Sequence, residues 1–216
     1  MIQLREVSKV YNKIKALHRV SLEIPAAGTL AVLGPSGSGK TTLLRLIAGL
    51  EVPDEGEVYL DGSLASSPAW TLAPNKRSIG FVFQIAALWP HMTVAQNILF
   101  GLRRWPKPKK LVRLRELLDQ TGLRELAGRY PDQISGGEAR RVALARSLAP
   151  YPRFLLMDEP LTNLDEELKC KLLAYIKEMV KQNQICLVYV THDPAEAEQI
   201  CDRVLVIERG LITQAP

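Results

Sequence analysis

The chain has 216 residues, 47% of them hydrophobic and 24% charged, with a formal net charge of +5. That length supports one sizeable domain with a real core, and no apolar run approaches the roughly 18 residues that a membrane-spanning helix needs. The N-terminus lacks the apolar stretch of an export signal, and Cys170, Cys186 and Cys201 match no metal-binding spacing, so a cytosolic protein with reduced thiols is expected. The charge is unevenly spread. Arg103, Arg104, Lys107, Lys109, Lys110, Arg113 and Arg115 are seven cations with no acid among them, which leaves the rest of the chain at −2 (5 − 7). Trp105 is the single aromatic in that stretch, whereas nucleic-acid-binding faces more often interleave several, so no nucleic-acid partner is expected. A solvated connection into a helix fits the stretch, and so does a surface near anionic lipid headgroups.

Residues 2–7 and 20–24 alternate apolar and polar with a period of two, as half-exposed antiparallel strands do. Residues 57–62 read as another such strand, ending in the turn Asp61-Gly62. Residues 30–33, 79–83, 154–157, 186–190 and 204–207 are near-continuously apolar, as strands covered on both faces of an α/β sheet are. From about 85 to 149 the pattern turns helical. Thr93, with Gln96 three residues later, is a capping box for a helix over 94–101. Pro106 and Pro108 are expected to break the chain before a helix over 111–118. Ser135 caps a helix over 136–148 whose apolar stripe is Val142, Leu144, Ala145 and Leu148. The whole reads as a helical segment inserted between two halves of a sheet domain.

The first apolar strand runs into Gly34-Pro35-Ser36-Gly37-Ser38-Gly39-Lys40-Thr41, and Thr42 follows as the chain enters a helix. Strand, glycine-rich loop and helix in that order make a phosphate-binding loop. Its glycines let backbone N–H groups point inward, and the helix start adds a positive dipole end. Lys40 reaches terminal phosphates and the Thr41 hydroxyl suits Mg²⁺, so a nucleoside triphosphate site is implied. The strand over 154–157 ends in Asp158-Glu159, where an open parallel sheet places its ligand crevice. Asp158 there suits Mg²⁺ through water, and Glu159 suits a general base for an attacking water. Ser135-Gly136-Gly137-Glu138 opens a second helix with exposed N–H groups, a second anion site by the same physics. Sequence distance leaves open whether both sites meet one nucleotide.

Phosphate loop, Gln84, Ser-Gly-Gly-Glu, Asp-Glu-Pro, Leu164-Asp165 and Thr191-His192-Asp193 follow one another in the order of the ABC transporter ATPase family, which this chain resembles over essentially its whole length. The resemblance implies a P-loop NTPase (RecA-like) α/β fold. Its core, over 1–84 and 150–216, has a mostly parallel sheet and an N-terminal antiparallel β subdomain, and an α-helical subdomain is inserted over 85–149. It implies ATP and Mg²⁺, with Gly34, Pro35, Ser36, Gly37, Ser38, Gly39, Lys40, Thr41 and Thr42 around the phosphates of one protomer. Thr41, Gln84 and Asp158 are then metal ligands, and Lys40, Gln84, Glu159 and His192 the catalytic set. Ser135 and Gly137 would reach the nucleotide of the other protomer in a head-to-tail dimer, with Asp165 at the seam. Tyr11 resembles the aromatic that stacks on adenine; taken alone it is a routine amphipathic surface position. The family most often has leucine and glutamine where this chain has Ile134 and Glu138, and nothing in the catalytic set is missing, so an active ATPase is expected.

The segment over 81–94 resembles importer-type subunits for small solutes such as iron, sulfate, molybdate, polyamines or sugars. The resemblance implies transmembrane permease subunits as partners, a solute-binding protein indirectly, and a cytoplasmic place at the inner face of the membrane. Trp89 and His91 line the groove for the transmembrane subunit or pack against the helical subdomain. Such subunits often carry a further β-rich regulatory domain; with six residues after Gly210, that domain is expected to be either absent or truncated here. Two other readings stand beside import: an ABC ATPase serving a division or lipid-handling complex, and a soluble one acting on ribosomes or DNA. The latter usually carries two cassettes or a long coiled coil, and neither is present here.

Overall fold

The computed structural model describes residues 1–162 and 164–214. In chain order the strands are β1 (Ile2–Tyr11), β2 (Ile14–Ile24), β3 (Thr29–Leu33), β4 (Glu55–Leu60), β5 (Ser63–Ser67), β6 (Trp70–Thr71) and β7 (Ile79–Val82). They are followed by β8 (Phe154–Asp158), β9 (Cys186–Val190), β10 (Arg203–Glu208) and β11 (Leu211–Gln214). Helix α1 (Lys40–Ala48) follows β3. Helices α2 (Val94–Leu99), α3 (Lys107–Gln120) and α4 (Gly136–Leu148) lie between β7 and β8. Helix α5 (Glu166–Gln182) precedes β9, and α6 (Pro194–Ile200) follows it.

Two sheets result. One is antiparallel, in the order β2-β1-β4-β5-β6; the other runs β11-β10-β3-β9-β8-β7 and is parallel except for β11. Alternate residues of the parallel strands enter two separate cores. Leu30, Val32, Phe154, Leu156, Val188 and Val190 pack with α1 and the inner face of the antiparallel sheet, including Ile2, Leu4, Val7 and Leu22. Ala31, Leu155, Met157, Leu187 and Tyr189 pack with apolar faces of α2 through α6. That double coverage is why those strands carry no polar alternation, whereas β1 and β2 do. Each fully buried Leu, Ile or Val contributes about 1.5–3 kcal/mol.

The expected mixed architecture is therefore present, with corrections at its edges. Residues 83–92 are not helical, and Phe83 lies outside β7. At the end of that stretch the fully buried Asn97 side chain replaces helical bonding: it accepts from Trp89 N at 2.9 Å and donates to the carbonyls of Trp89, Met92 and Thr93 at 3.0–3.2 Å. The Thr93–Gln96 capping box forms as expected, but α2 tightens into a 3₁₀ turn at Phe100–Leu102 instead of running to 101. Pro106 and Pro108 start α3 instead of breaking the chain before it, since Pro106 is the cap and Pro108 lies in the first turn, where no N–H is needed. Within the basic stretch Arg113 is buried, donating to Leu148 O at 2.9 Å and pairing with Glu116 at 2.8 Å, so it is not part of a solvated face. Trp89 packs on Phe100, with ring centroids 5.2 Å apart, whereas His91 is exposed. Cys186 and Cys201 are buried and Cys170 is exposed, all three as free thiols.

Arg77 has no counterpart in the sequence reading. It is 2% exposed and burial pushes its guanidinium down to about 10. It donates to the carbonyls of Leu72, Leu46, Ile47 and Ala65 and to the hydroxyls of Ser66 and Thr71, at 2.7–3.4 Å. Two of those carbonyls close the negative end of α1, so one cation ties that helix to β5 and β6. Arg77→Ala strands these acceptors and is expected to cost about 2–4 kcal/mol in denaturant unfolding. Arg77→Lys, with fewer donors, should fall between. A cost under about 1 kcal/mol for Arg77→Ala would remove the side chain from this bracing role.

Candidate functional site

The parallel register decides where the site lies. Val32 of β3 and Asp158 of β8 both pair with Val190 of β9, so Leu33-Gly34, Asp158-Glu159 and Thr191-His192 leave the sheet side by side. This is the carboxyl edge of an open α/β sheet, where its ligand crevice forms.

The loop out of β3 is braced from behind. Gly34 and Gly39 have φ of 149° and 112°, and a Cβ on either would lie 2.1 Å from Ile207 O or 2.3 Å from Ala16 O. Only glycine allows this backbone so close to its neighbours. Gly210 N also donates to Ser38 O at 3.0 Å, fastening the loop to the turn between β10 and β11. Lys40, 6% exposed, folds over the loop and donates to the carbonyls of Gly34 and Pro35 at 2.7 and 2.9 Å. Burial pushes its ammonium below the ordinary value, against the pull of Glu159 and Asp158.

Thr41 Oγ1 donates to Asp158 Oδ2 at 2.8 Å, linking the first turn of α1 to the end of β8. Burial raises the Asp158 carboxyl above its usual range, although the Thr41 bond lowers it. Glu159 has φ of 46°, left-handed for a residue with a side chain, and its N–H donates to Val190 O at 2.9 Å. That turn takes the carboxylate out of the strand direction and into the cleft. His192 Nδ1 stands 3.6 Å from Glu159 Oε2.

Tyr11, Ser36, Gly37, Gly39, Lys40, Thr41, Thr42, Gln84 and Glu159 line one cleft of about 310 Å³, together with Ala16. Asp158 joins it through Thr41, and His192 adjoins it through Glu159. Tyr11 is the last residue of β1 and is 39% exposed, with Lys9 Nζ 5.6 Å from its ring centroid. The hydroxyl of Thr41, the amide of Gln84 and the carboxylate of Asp158 are hard oxygen donors, the kind Mg²⁺ prefers. The glycines likewise leave the backbone of the loop bare of side chains toward the cleft, as a phosphate cradle requires.

Ser135, Gly137 and Asp165 do not line this cleft. Ser135 caps α4 in a capping box: Ser135 Oγ accepts from Glu138 N at 3.3 Å, and Glu138 Oε2 accepts from Ser135 N at 2.7 Å. The bond from the Ser135 backbone is the main cause holding the Glu138 carboxyl below its usual value. Asp165 caps α5 by accepting from Leu168 N at 2.9 Å. The two cap regions meet: a Cβ on Gly137 would lie 3.1 Å from Leu164 Cδ2.

Sequence reasoning missed what holds the turn that carries His192. Glu196, 5% exposed, accepts from Tyr189 and Thr191 at 2.9 and 2.8 Å, and Lys169 pairs with it at 2.7 Å and with Asp193 at 2.9 Å. The Glu196 and Asp193 bonds raise the Lys169 ammonium, and the Lys169 bond lowers Asp193. Glu196 follows Asp193 by three residues, a spacing that places both on one turn, but nothing local marks Lys169 on α5 as their partner.

Residues 17–162 match the ABC transporter family. The chain is 45% identical over 215 residues to the sulfate/thiosulfate import ATP-binding protein CysA of Gloeobacter violaceus, covering 99% of this chain and 61% of that one. It is 42% identical over 217 residues to the trehalose/maltose import ATP-binding protein MalK of Thermococcus litoralis, covering 99% and 58%. The chain thus spans about three-fifths of the length of these curated relatives. Its fold superimposes with a TM-score of 0.92, at 32% identity, on the ATP-binding cassette MJ0796 in a dimeric post-hydrolysis state bound to ADP and Pi, covering 100% of this chain and 98% of that one. With a phosphate loop, a paired Asp-Glu strand end and a capped Ser-Gly-Gly helix in this arrangement, and the match across them, the chain belongs to the ABC transporter family.

Proposed function

We propose that this chain is the ATP-hydrolysing subunit of an ABC importer. On this reading it works at the cytoplasmic face of the membrane on transmembrane permease subunits that a solute-binding protein supplies. The observation that carries the reading is the 2.8 Å bond from Thr41 to Asp158, with Lys40 and Glu159 in the same cleft. It joins the hydroxyl and carboxylate that a magnesium–triphosphate complex requires to a cation and a potential base. Among the described residues no helix is long and apolar enough to cross a membrane, which fits a chain whose permease is separate. The named relatives import unlike solutes, an oxyanion and a sugar, so the transported solute is read by other subunits.

In this scheme residues 34–42 wrap the phosphates with backbone N–H groups, Lys40 neutralises their terminal charge, and Tyr11 offers its ring to the base. Thr41, Gln84 and Asp158 would hold Mg²⁺, which when bound draws charge off the terminal phosphates. Glu159 takes a proton from the attacking water while oxygen bonds to the γ-phosphorus and the bond to ADP breaks. His192 and Gln84 orient that water and the transferred group. The core over 1–84 and 150–216 carries these residues. Residues 85–149, with Ser135 and Gly137, close over the ATP of a second copy in a head-to-tail dimer seamed at Asp165. That Ser135 and Gly137 lie off the cleft of their own chain supports this division.

Glu159→Gln is expected to slow phosphate release about 10²–10⁴-fold while ATP still binds. Turnover at the wild-type rate would take the base role from Glu159. Lys40→Ala should lose nucleotide binding or turnover, and normal values for both would count against the loop as the phosphate site. In light scattering, MgATP should convert the Glu159→Gln protein from monomer to dimer, and adding Ser135→Arg should abolish that shift. A dimer indifferent to Ser135→Arg would put the seam elsewhere.

A further inference from the structure

Gln84 reaches the cleft from a segment with no regular structure, and one side chain from a distant helix holds that segment. Arg146, in the last turn of α4, donates from Nη1 to Ala87 O at 2.9 Å and from Nη2 to Ala86 O at 3.1 Å. Its guanidinium carbon lies 5.9 Å from the Trp89 ring centroid. Ala87 has φ of 44°, a left-handed conformation that a residue with a side chain rarely holds without outside support. Among the described residues Arg146 has no carboxylate partner, so its polar contacts are spent on this loop backbone.

The same turn of α4 also seats the strand before Gln84. A Cβ on Gly80 of β7 would lie 2.7 Å from Ser147 O, so helix and strand touch with no side chain between them. The backbone on both sides of Gln84 is thus referenced to residues 146 and 147 of one helix.

We propose that Arg146 is a positioning residue for hydrolysis: its fork fixes the backbone two and three residues beyond Gln84 and so sets where the Gln84 side chain stands against Thr41 and Glu159. The inference rests on Gln84 serving the magnesium ion and the attacking water, as above. A lysine cannot replace the fork, because two separate carbonyls must be held by a rigid planar group.

The test compares Arg146→Gln and Arg146→Lys with the wild type, each with Gln84 intact and with Gln84→Ala. With Gln84 present, Arg146→Gln should lower kcat about 10- to 100-fold while the Kd for ATP without magnesium stays within about 2-fold. In the Gln84→Ala background the further loss should be under about 2-fold, because the group being positioned is gone. Arg146→Lys should fall between and carries the comparison if Arg146→Gln does not fold. Equal losses in both backgrounds would overturn the inference. A second arm reads the loop without turnover. With Trp70→Phe and Trp105→Phe, Trp89 is the sole tryptophan, and acrylamide should quench it more strongly in both Arg146 variants. Unchanged quenching would also overturn the inference. A protein that binds ATP but does not hydrolyse it would defeat the functional reading and with it the role in hydrolysis, whereas quenching separately decides whether Arg146 fixes the loop.

Discussion

The site depends on the register of three parallel strands. Because Val32 and Asp158 both pair with Val190, the phosphate loop, the paired acids and the histidine turn emerge together at one sheet edge. A slip of one residue in β8 would reverse its faces, sending Leu155 and Met157 toward α1 and Phe154 and Leu156 toward the helical side. The two cores therefore enforce the register that the chemistry needs. Apolar packing is strong and undirected, and here it acts as the ruler for directed polar contacts.

The polar groups at that edge are costly to bury and are accordingly paired. Lys40 closes on loop carbonyls, Thr41 on Asp158, and Glu196 on Tyr189, Thr191 and Lys169. Opposing shifts on Lys40 and Asp158, one ammonium pushed down and one carboxyl pushed up, are what burial does to each group, against the pull of their mutual attraction. On the proposed reading, Lys40 would exchange its loop carbonyls for the triphosphate and Asp158 its Thr41 hydroxyl for the metal ion. Glu159 adds local backbone strain to the set, as residues at reaction centres often do.

Helix α4 links parts that the chain order separates. Its N-terminal end holds the Ser135–Glu138 capping box, and its C-terminal turn holds β7 and the Gln84 loop. About 11 residues of helix, some 16 Å at 1.5 Å per residue, join the two ends rigidly. Glutamate at 138 serves the cap as well as an amide would, since it accepts from the Ser135 N–H. The departure from the common glutamine therefore leaves the helix start intact.

What the sequence by itself determined was local and periodic: the phosphate loop between strand and helix, the doubly covered strands, the Thr93–Gln96 capping box, the Ser135 cap and the acids at a strand end. Each is written in residues a few positions apart, where backbone geometry alone sets the outcome. The resemblance to a family supplied the proposed roles of Tyr11, Gln84, Asp165 and His192, which spacing alone does not mark. Only the tertiary structure decided that Arg77 braces α1, that Lys169 holds the histidine turn, that Arg146 holds the Gln84 loop, and that 83–92 is irregular. A lone arginine or lysine on an amphipathic pattern looks solvated until its partners arrive from remote elements. The bonds that hold Arg77, Lys169 and Arg146 reach up to 60 residues along the chain, and only packing brings their ends together.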